Sequence, residues 1–453
     1  MQFELNNEFM TLLREHLAEG RDSDVLGMIG ELHPADLADI LDEVKRDEAA
    51  YLFKLIDKDK VSDVLMEMEE DAREELLSTY TSKEIAEELV GDLDSDDATD
   101  LIQELPDQKK EEVIAQLEDE DQASDILDLL AYEEGTAGGL MAKELVKVNQ
   151  NWTIATAIRE MRRQAEDIDN VYTIYVVDDH DVLLGRLSLK RLLLSSPSTR
   201  SYIRDIYLQQ ELHAVTPDLS DEKVASVMEK YDLVTVPVVN QGGILLGRIT
   251  IDDVVDVLRE EAERDYQLAS GISEDVESRD SVWTLTRARL PWLLIGMAGG
   301  ILGATVIGAF DIEKNIEMAL FIPLIAAMGG NVGVQSAAIV VQGLANQSLR
   351  NEGLGAKLAK ELSVGMVNGI ICSAIIFISS MLLNFGLALS ITVCISLFAV
   401  IVFAALFGTF VPLALDKYKI DPALATGPFI TTANDIIGLI IYFLVGGIIA
   451  SIV

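Results

Sequence analysis

Two rhythms of apolar residues run through the first 260 positions. Between about residues 8 and 130, short apolar clusters alternate with acids, as in Asp36-Leu37-Ala38-Asp39-Ile40-Leu41, Lys60-Val61-Ser62-Asp63-Val64-Leu65, Glu84-Ile85-Ala86-Glu87-Glu88-Leu89, Asp97-Ala98-Thr99-Asp100-Leu101-Ile102 and Gln122-Ala123-Ser124-Asp125-Ile126-Leu127. Most copies stand 24 or 25 residues apart, which predicts short helices stacked into a solenoid. Residues 171 to 195 and 233 to 257 then align without a gap at an offset of 62. Val171-Tyr172-Thr173-Ile174-Tyr175-Val176-Val177 matches Leu233-Val234-Thr235-Val236-Pro237-Val238-Val239, and Leu183-Leu184-Gly185-Arg186-Leu187-Ser188 matches Leu245-Leu246-Gly247-Arg248-Ile249-Thr250. Each copy reads as helix, β-branched strand, turn, strand and helix, with helices at about 153 to 165 and 221 to 231.

The last third changes solvent. Five apolar stretches, about 290 to 310, 317 to 344, 362 to 383, 385 to 415 and 423 to 453, are each long enough to cross about 30 Å of hydrocarbon. Arg287 and Arg289 precede the first stretch, Arg350, Lys357 and Lys360 separate the second from the third, and Lys417 and Lys419 separate the fourth from the fifth. The opposite loops hold only Lys314, so the positive-inside rule puts the N-terminus in the cytosol and the C-terminus outside. In the second stretch Pro323 and Gly329-Gly330-Asn331-Val332-Gly333-Val334-Gln335-Ser336 predict a non-helical backbone at mid-membrane depth, which must be buried in protein or line a wet cavity. Asn331, Gln335 and Gln342 fall on one helical face, which reads as pore lining, with interhelical hydrogen bonding as the alternative.

Composition sharpens this division. Of the formal charge of -41, residues 1 to 289 carry -39, a field that attracts cations and repels nucleic acid and anionic lipid. The first seven residues have neither a basic start nor an apolar core, so no cleavable secretory signal is expected. Cys372 and Cys394 lie in apolar stretches far from any His and read as packing residues. His33, His180 and His213 stand in loops or helix starts with no nucleophile beside them and no phosphate-cradling glycine loop, which argues against an enzyme.

Beyond Glu317 at the very start of the second stretch, Asp435 is the only formally charged side chain inside the apolar stretches, and residues 362 to 415 and 420 to 453 contain no Lys or Arg to pair with it. An ionised group in hydrocarbon is costly and marks an ion path or a buried partner. With Thr431 one turn away, it offers hard oxygen donors suited to a hard cation. Two acidic clusters in the soluble half exceed the needs of helix capping. They are Asp94-Ser95-Asp96-Asp97 with Asp100, and Asp252-Asp253, Asp256, Glu260-Glu261, Glu263 and Asp265. Like charges crowded on a helix repel, and a shared cation would remove the repulsion.

The duplicated segment resembles a tandem pair of CBS modules, in which Gly247, Thr250 and Asp253 match a ribose-holding motif, whereas the first copy has Arg191 where the acid would stand. A nucleotide such as ATP held by Thr250 and Asp253 and a purely structural pair both remain open. The whole order, together with Arg289-Leu290-Pro291-Trp292-Leu293-Leu294, the Gly329 to Ser336 run and Asn434-Asp435-Ile436-Ile437-Gly438 through Tyr442, resembles the MgtE magnesium channel family. That resemblance implies a multidomain membrane protein: an all-α superhelical domain over 1–135, an α/β tandem CBS domain over 136–258, an acidic connecting (plug) helix over 259–285 and a five-helix transmembrane pore domain over 286–453. It implies a homodimer in the plasma membrane (the inner membrane of a cell that has two), with Mg2+ passing Asp435, Asn331, Asn434, Thr431 and Gln335. It further implies closure by cytosolic Mg2+ bound through Asp94, Asp97, Glu222, Asp232, Asp253, Asp256, Glu261, Asp265 and Asp421. The competing readings are a proton-coupled secondary Mg2+ transporter and a membrane-tethered nucleotide sensor.

Overall fold

The computed structural model describes residues 5–451 except 167, 169, 195–200, 210, 211, 274, 275, 277–279, 311–315, 346–352 and 426, so Lys314 and Arg350 of the loop-charge argument lie outside the described residues. It divides into two units, residues 1–259 and 260–453.

In the first unit the 24-residue rhythm appears as helix starts. α1 (Asn7–Glu19) is followed by α2 (Asp22–Ile29), α3 (Pro34–Glu43), α4 (Arg46–Phe53), α5 (Lys58–Met66), α6 (Glu70–Leu77), α7 (Ser82–Ile85), α8 (Ser95–Gln103), α9 (Asp107–Ile114) and α10 (Glu120–Leu129). Helices two apart in the chain pack together, α3 on α5, α4 on α6, α7 on α9 and α8 on α10, and bury a continuous core that includes Leu13, Val64, Leu65, Ile85, Leu101 and Ile126. One device recurs along the stack. A long donor reaches back about one repeat to orphaned carbonyls at a helix end: Lys60 to Gly30 and Leu32, Lys109 to Leu77 and Tyr80, and Gln122 to Val90 and Leu93. These bonds satisfy acceptors that the helices cannot satisfy internally.

The duplication is equally literal. β1 (Val146–Asn149) pairs in parallel with β2 (Ile174–Val177), which pairs antiparallel with β3 (Leu183–Leu187), while β4 (Thr235–Val239) pairs antiparallel with β5 (Leu245–Thr250). Both hairpins carry the same irregularity, between Val176 and Val177 and between Val238 and Val239. The flanking helices are α11 (Ile154–Gln164), α12 (Leu189–Leu194) and α13 (Asp221–Lys230). Next, α14 (Ile251–Ser270) runs on from β5 and ends where Gly271 adopts φ +80°, a value that stops a helix at little cost only for glycine. The connecting helix expected over 259–285 therefore begins and ends earlier.

The second unit contains α15 (Val282–Ala309), α16 (Ile316–Ala319), α17 (Ile322–Ala345), α18 (Leu354–Leu382), α19 (Leu387–Lys417) and α20 (Gly427–Ala450). Five helices, with α16 and α17 taken together, are long and apolar enough to cross a membrane. α15 and α18 start eight residues before the apolar stretches do, because hydropathy marks the part that suits hydrocarbon, whereas Arg287, Arg289, Lys357 and Lys360 sit on helix that continues past it. Glu361 thereby falls inside a spanning helix, so Asp435 is not the only acid there.

One expectation is overturned. The glycine-rich part of the second span is continuous α-helix, with Pro323 in the first turn, where its missing N–H costs nothing. The glycines serve close approach instead. A side chain built on Gly408 would lie 2.3 Å from the Gly333 carbonyl oxygen, and one on Gly333 would lie 1.9 Å from the Asn434 amide nitrogen. Small residues at such crossings let bare backbones touch. Gly408→Ala is therefore expected to lower the melting temperature of the purified protein by several degrees, consistent with an overpacking cost of about 1–3 kcal/mol. Gly355→Ala, with nothing within 4 Å, should leave it unchanged in the same scan.

Candidate metal centre and ion path

The first site grows from the N-terminus of α8. Ser95 is fully buried, and its backbone N–H and hydroxyl both donate to Glu144, at 3.1 and 2.8 Å, while Lys143 N–H donates back to the hydroxyl at 2.8 Å. That exchange ties the helical stack to the strand region and draws Asp94, Asp96 and Glu144 together, with one carboxylate oxygen from each lying within 4.8 Å of the others. Burial, followed by the charges of Asp253, Asp97, Glu144 and Asp94, raises Asp96 well above the usual carboxylate range. Burial and then Asp253 and Asp94 push Asp97 up to about 7. Asp253 is raised by burial, although its oxygen accepts from the Thr250 N–H and hydroxyl at 2.9 and 2.6 Å. Arg248 approaches Asp94 at 3.6 Å, and Arg73 offsets part of the charge felt by Asp97. Four of these acids, Asp94, Asp96, Asp97 and Asp253, stand in the clusters read from the sequence. Glu144 was missed, because nothing in its local sequence signals that a residue 49 positions on caps α8.

The remaining predicted ligands are placed differently. Glu222 and Asp232 are exposed at opposite ends of α13, and Asp256, Glu261 and Asp265 follow along α14. Asp421 accepts from the Ala423 N–H at 2.8 Å, an ordinary cap for the turn at Pro422–Ala425. Asp253 and Thr250, the two residues expected to hold a nucleotide, are bonded to each other, Asp253 accepting from both the N–H and the hydroxyl of Thr250. A small cavity lies beside the first copy, lined by Val146, Asn170, Tyr172, Tyr175, Thr235 and Arg248. The Arg248 Nε there is buried without a hydrogen-bond partner.

In the second unit Gly330 lets α20 close on α17. A side chain built on it would meet Thr431 at 3.0 Å and the Asp435 carboxyl at 3.5 Å. Asp435 is partly exposed and makes no ion pair among the described residues. Thr431 donates its hydroxyl to the Gly427 carbonyl at 3.0 Å, which leaves the hydroxyl oxygen free to accept. Asn331, Gln335 and Gln342 are exposed along one face of α17. Asn434 departs from the expectation of an ion contact: it is 1% exposed, wedged against Gly333, with both amide atoms unpartnered. Tyr442 anchors the same helix through its hydroxyl, which donates to the Met318 carbonyl at 2.9 Å.

A helical repeat, a duplicated α/β sensor-like pair and five apolar helices with an intramembrane acid define a multidomain membrane transport protein. Family comparison agrees: residues 32–135 match the MgtE intracellular N domain, 137–197 and 203–260 match CBS domains, and 322–445 match the divalent cation transporter MgtE. The chain is 30% identical over 430 residues to the magnesium transporter MgtE of Bacillus subtilis, covering 94% of each. It is 33% identical over 448 residues to that of Thermus thermophilus, covering 95% of this chain and 96% of the relative. A crystal structure described as the cytosolic domain of the Mg2+ channel MgtE in complex with ATP aligns with 34% identity and a TM-score of 0.50, over 55% of this chain and 99% of that one. The chain belongs to the MgtE family of magnesium transporters, whose members are transporters and not enzymes.

The raised acids fix a sign for pH. In the metal-free fold Asp97 holds a proton that the unfolded chain, with a carboxylate near 3.9, has already released. Its contribution to stability is thus full below about pH 4 and is lost as pH rises through about 7. In chelator, the melting temperature should fall by several degrees between about pH 5 and pH 8, and added Mg2+ should remove the slope. A chelated protein whose melting temperature rises over that range contradicts this account.

Proposed function

We propose that the chain is a Mg2+-selective channel of the plasma membrane that admits Mg2+ and is closed by Mg2+ bound on its cytosolic acids. The observation that carries the pore is Asp435, a partly exposed carboxyl beside Thr431 and Gly330 with no ion pair among the described residues. Mg2+ loses its waters reluctantly, so an ion path needs few carboxylates and room for water. A homodimer with Asp435 from each copy on a two-fold axis supplies two, with Thr431, Asn331 and Gln335 positioned to hold waters. Asn434 supports the helix packing from behind. The N-terminal domains lie in the cytosol and the C-terminus outside, by the charge of the loops.

The closing site is the group formed by Asp94, Asp96, Asp97, Glu144 and Asp253. Without metal these acids repel one another, and Mg2+ neutralises them and holds the stack against the CBS pair. α14 begins among these acids, and its far end packs tightly at the start of α20: a side chain on Gly427 would lie 2.3 Å from the Ala269 carbonyl oxygen, and one on Gly271 would meet Pro428 at 2.6 Å. Glu222, Asp232, Asp256, Glu261, Asp265 and Asp421 remain candidates for cations shared across a dimer or along α14. ATP, bound by the related cytosolic domain, has two candidate places here, the cavity beside Tyr172 and Arg248 and the Thr250–Asp253 pair.

In proteoliposomes, Asp435→Ala should cut Mg2+ flux at least about tenfold, as expected for loss of one essential charged contact. Full flux in that variant would remove the pore assignment. In patch recordings, Asp97→Asn with Asp253→Asn should abolish closure by cytosolic Mg2+ while leaving conduction intact; a double variant that still closes as wild type does refutes the closing site. Flux driven by a proton gradient alone would favour the coupled transporter instead.

A further inference from the structure

We propose that Glu361 is a positioning residue for the ion path, setting through Ser336 the rotation of α17 and hence the direction of Asn331 and Gln335. The inference rests on reading α17 as a pore helix. Ser336 is 4% exposed, and its hydroxyl donates to a Glu361 carboxyl oxygen at 2.5 Å. Glu361 lies seven residues inside α18, just after Lys357 and Lys360 at the edge of the apolar stretch, and its carboxyl turns to the buried Ser336 of the neighbouring helix.

The rest of this turn of α17 is glycine packing, with Gly333 against Asn434 and Gly408. Glycine contacts set how near helices come, but they are smooth and do little to resist rotation. The Ser336–Glu361 bond is directional. At about 100° per residue, Asn331, Gln335 and Gln342 fall within about 40° of one another, and Ser336 lies about 120° from them. A bond on that flank turns the amide face away from α18. Along the axis Ser336 is six residues from Gly330, so the clamp sits about 9 Å from the level of Asp435 and need not touch the ion there.

The test is Mg2+ flux in proteoliposomes, with Asp435→Ala run in parallel. Ser336→Ala and Glu361→Ala should each lower maximal flux about tenfold, the scale of a lost bond to a carboxyl group, and should shift the preference for Mg2+ over Co2+. The double variant should be no worse than either single one. Glu361→Gln, whose amide oxygen still accepts, should stay within about twofold of wild type. Wild-type flux in Ser336→Ala, a change too small to threaten folding, would overturn the proposal. So would a Glu361→Gln variant as poor as Glu361→Ala, which would mean that the charge itself serves the ion. If Asp435→Ala also conducts normally, the pore reading has failed and takes this inference with it; if Asp435→Ala is dead while both Ser336→Ala and Glu361→Ala conduct normally, only this inference has failed.

Discussion

Repulsion between carboxyl groups is the constraint around which the soluble half is organised. The buried Ser95–Glu144 exchange pins the start of α8 against the strand region and in doing so forces Asp94 and Asp96 beside Glu144, with Asp97 and Asp253 in electrostatic reach. Arg248 meets Asp94 alone at ion-pair distance, so the group retains more negative charge than one guanidinium offsets. A fold that wanted only stability would place a second base here. Arg73 and Glu104, paired and nearly buried a short distance along the same stack, are that ordinary solution.

The membrane half answers a different cost. Hydrocarbon gives no hydrophobic reward for bringing apolar helices together, so close backbone approach and hydrogen bonds must do it. Gly330, Gly333 and Gly408 remove side chains where α17, α19 and α20 meet, and Tyr442 closes the far end on Met318. Among the described residues these contacts leave Asp435 without an ion pair and the amide face of α17 exposed.

Much of this was legible in the sequence because repetition and hydropathy are local signals. The 24-residue rhythm, the offset of 62 and the five spans all survive, down to the matching bulges at Val176 and Val238. Three features were not legible. The helical backbone at Gly329 to Ser336 was hidden because glycine reads as a breaker until a neighbouring helix supplies the reason for its smallness. Asn434 reads as a ligand next to Asp435, but adjacent helical residues differ by about 100° and point to different neighbours. Glu144 and Glu361 are recognised only through partners 49 and 25 positions away, Ser95 and Ser336, a distance that no local pattern spans.

Magnitudes explain why the acidic group does not stay fully ionised in the metal-free fold. Carboxyl oxygens within 4.8 Å of one another repel, when ionised, by roughly 3.5 kcal/mol per pair at an effective dielectric of about 20. Asp94 is 44% exposed, and halving the three pair energies among Asp94, Asp96 and Glu144 for the water that reaches it leaves roughly 5 kcal/mol. The metal-free fold avoids that repulsion by keeping protons on Asp96 and Asp97, so a cation entering this group has to displace them and its binding falls as pH falls.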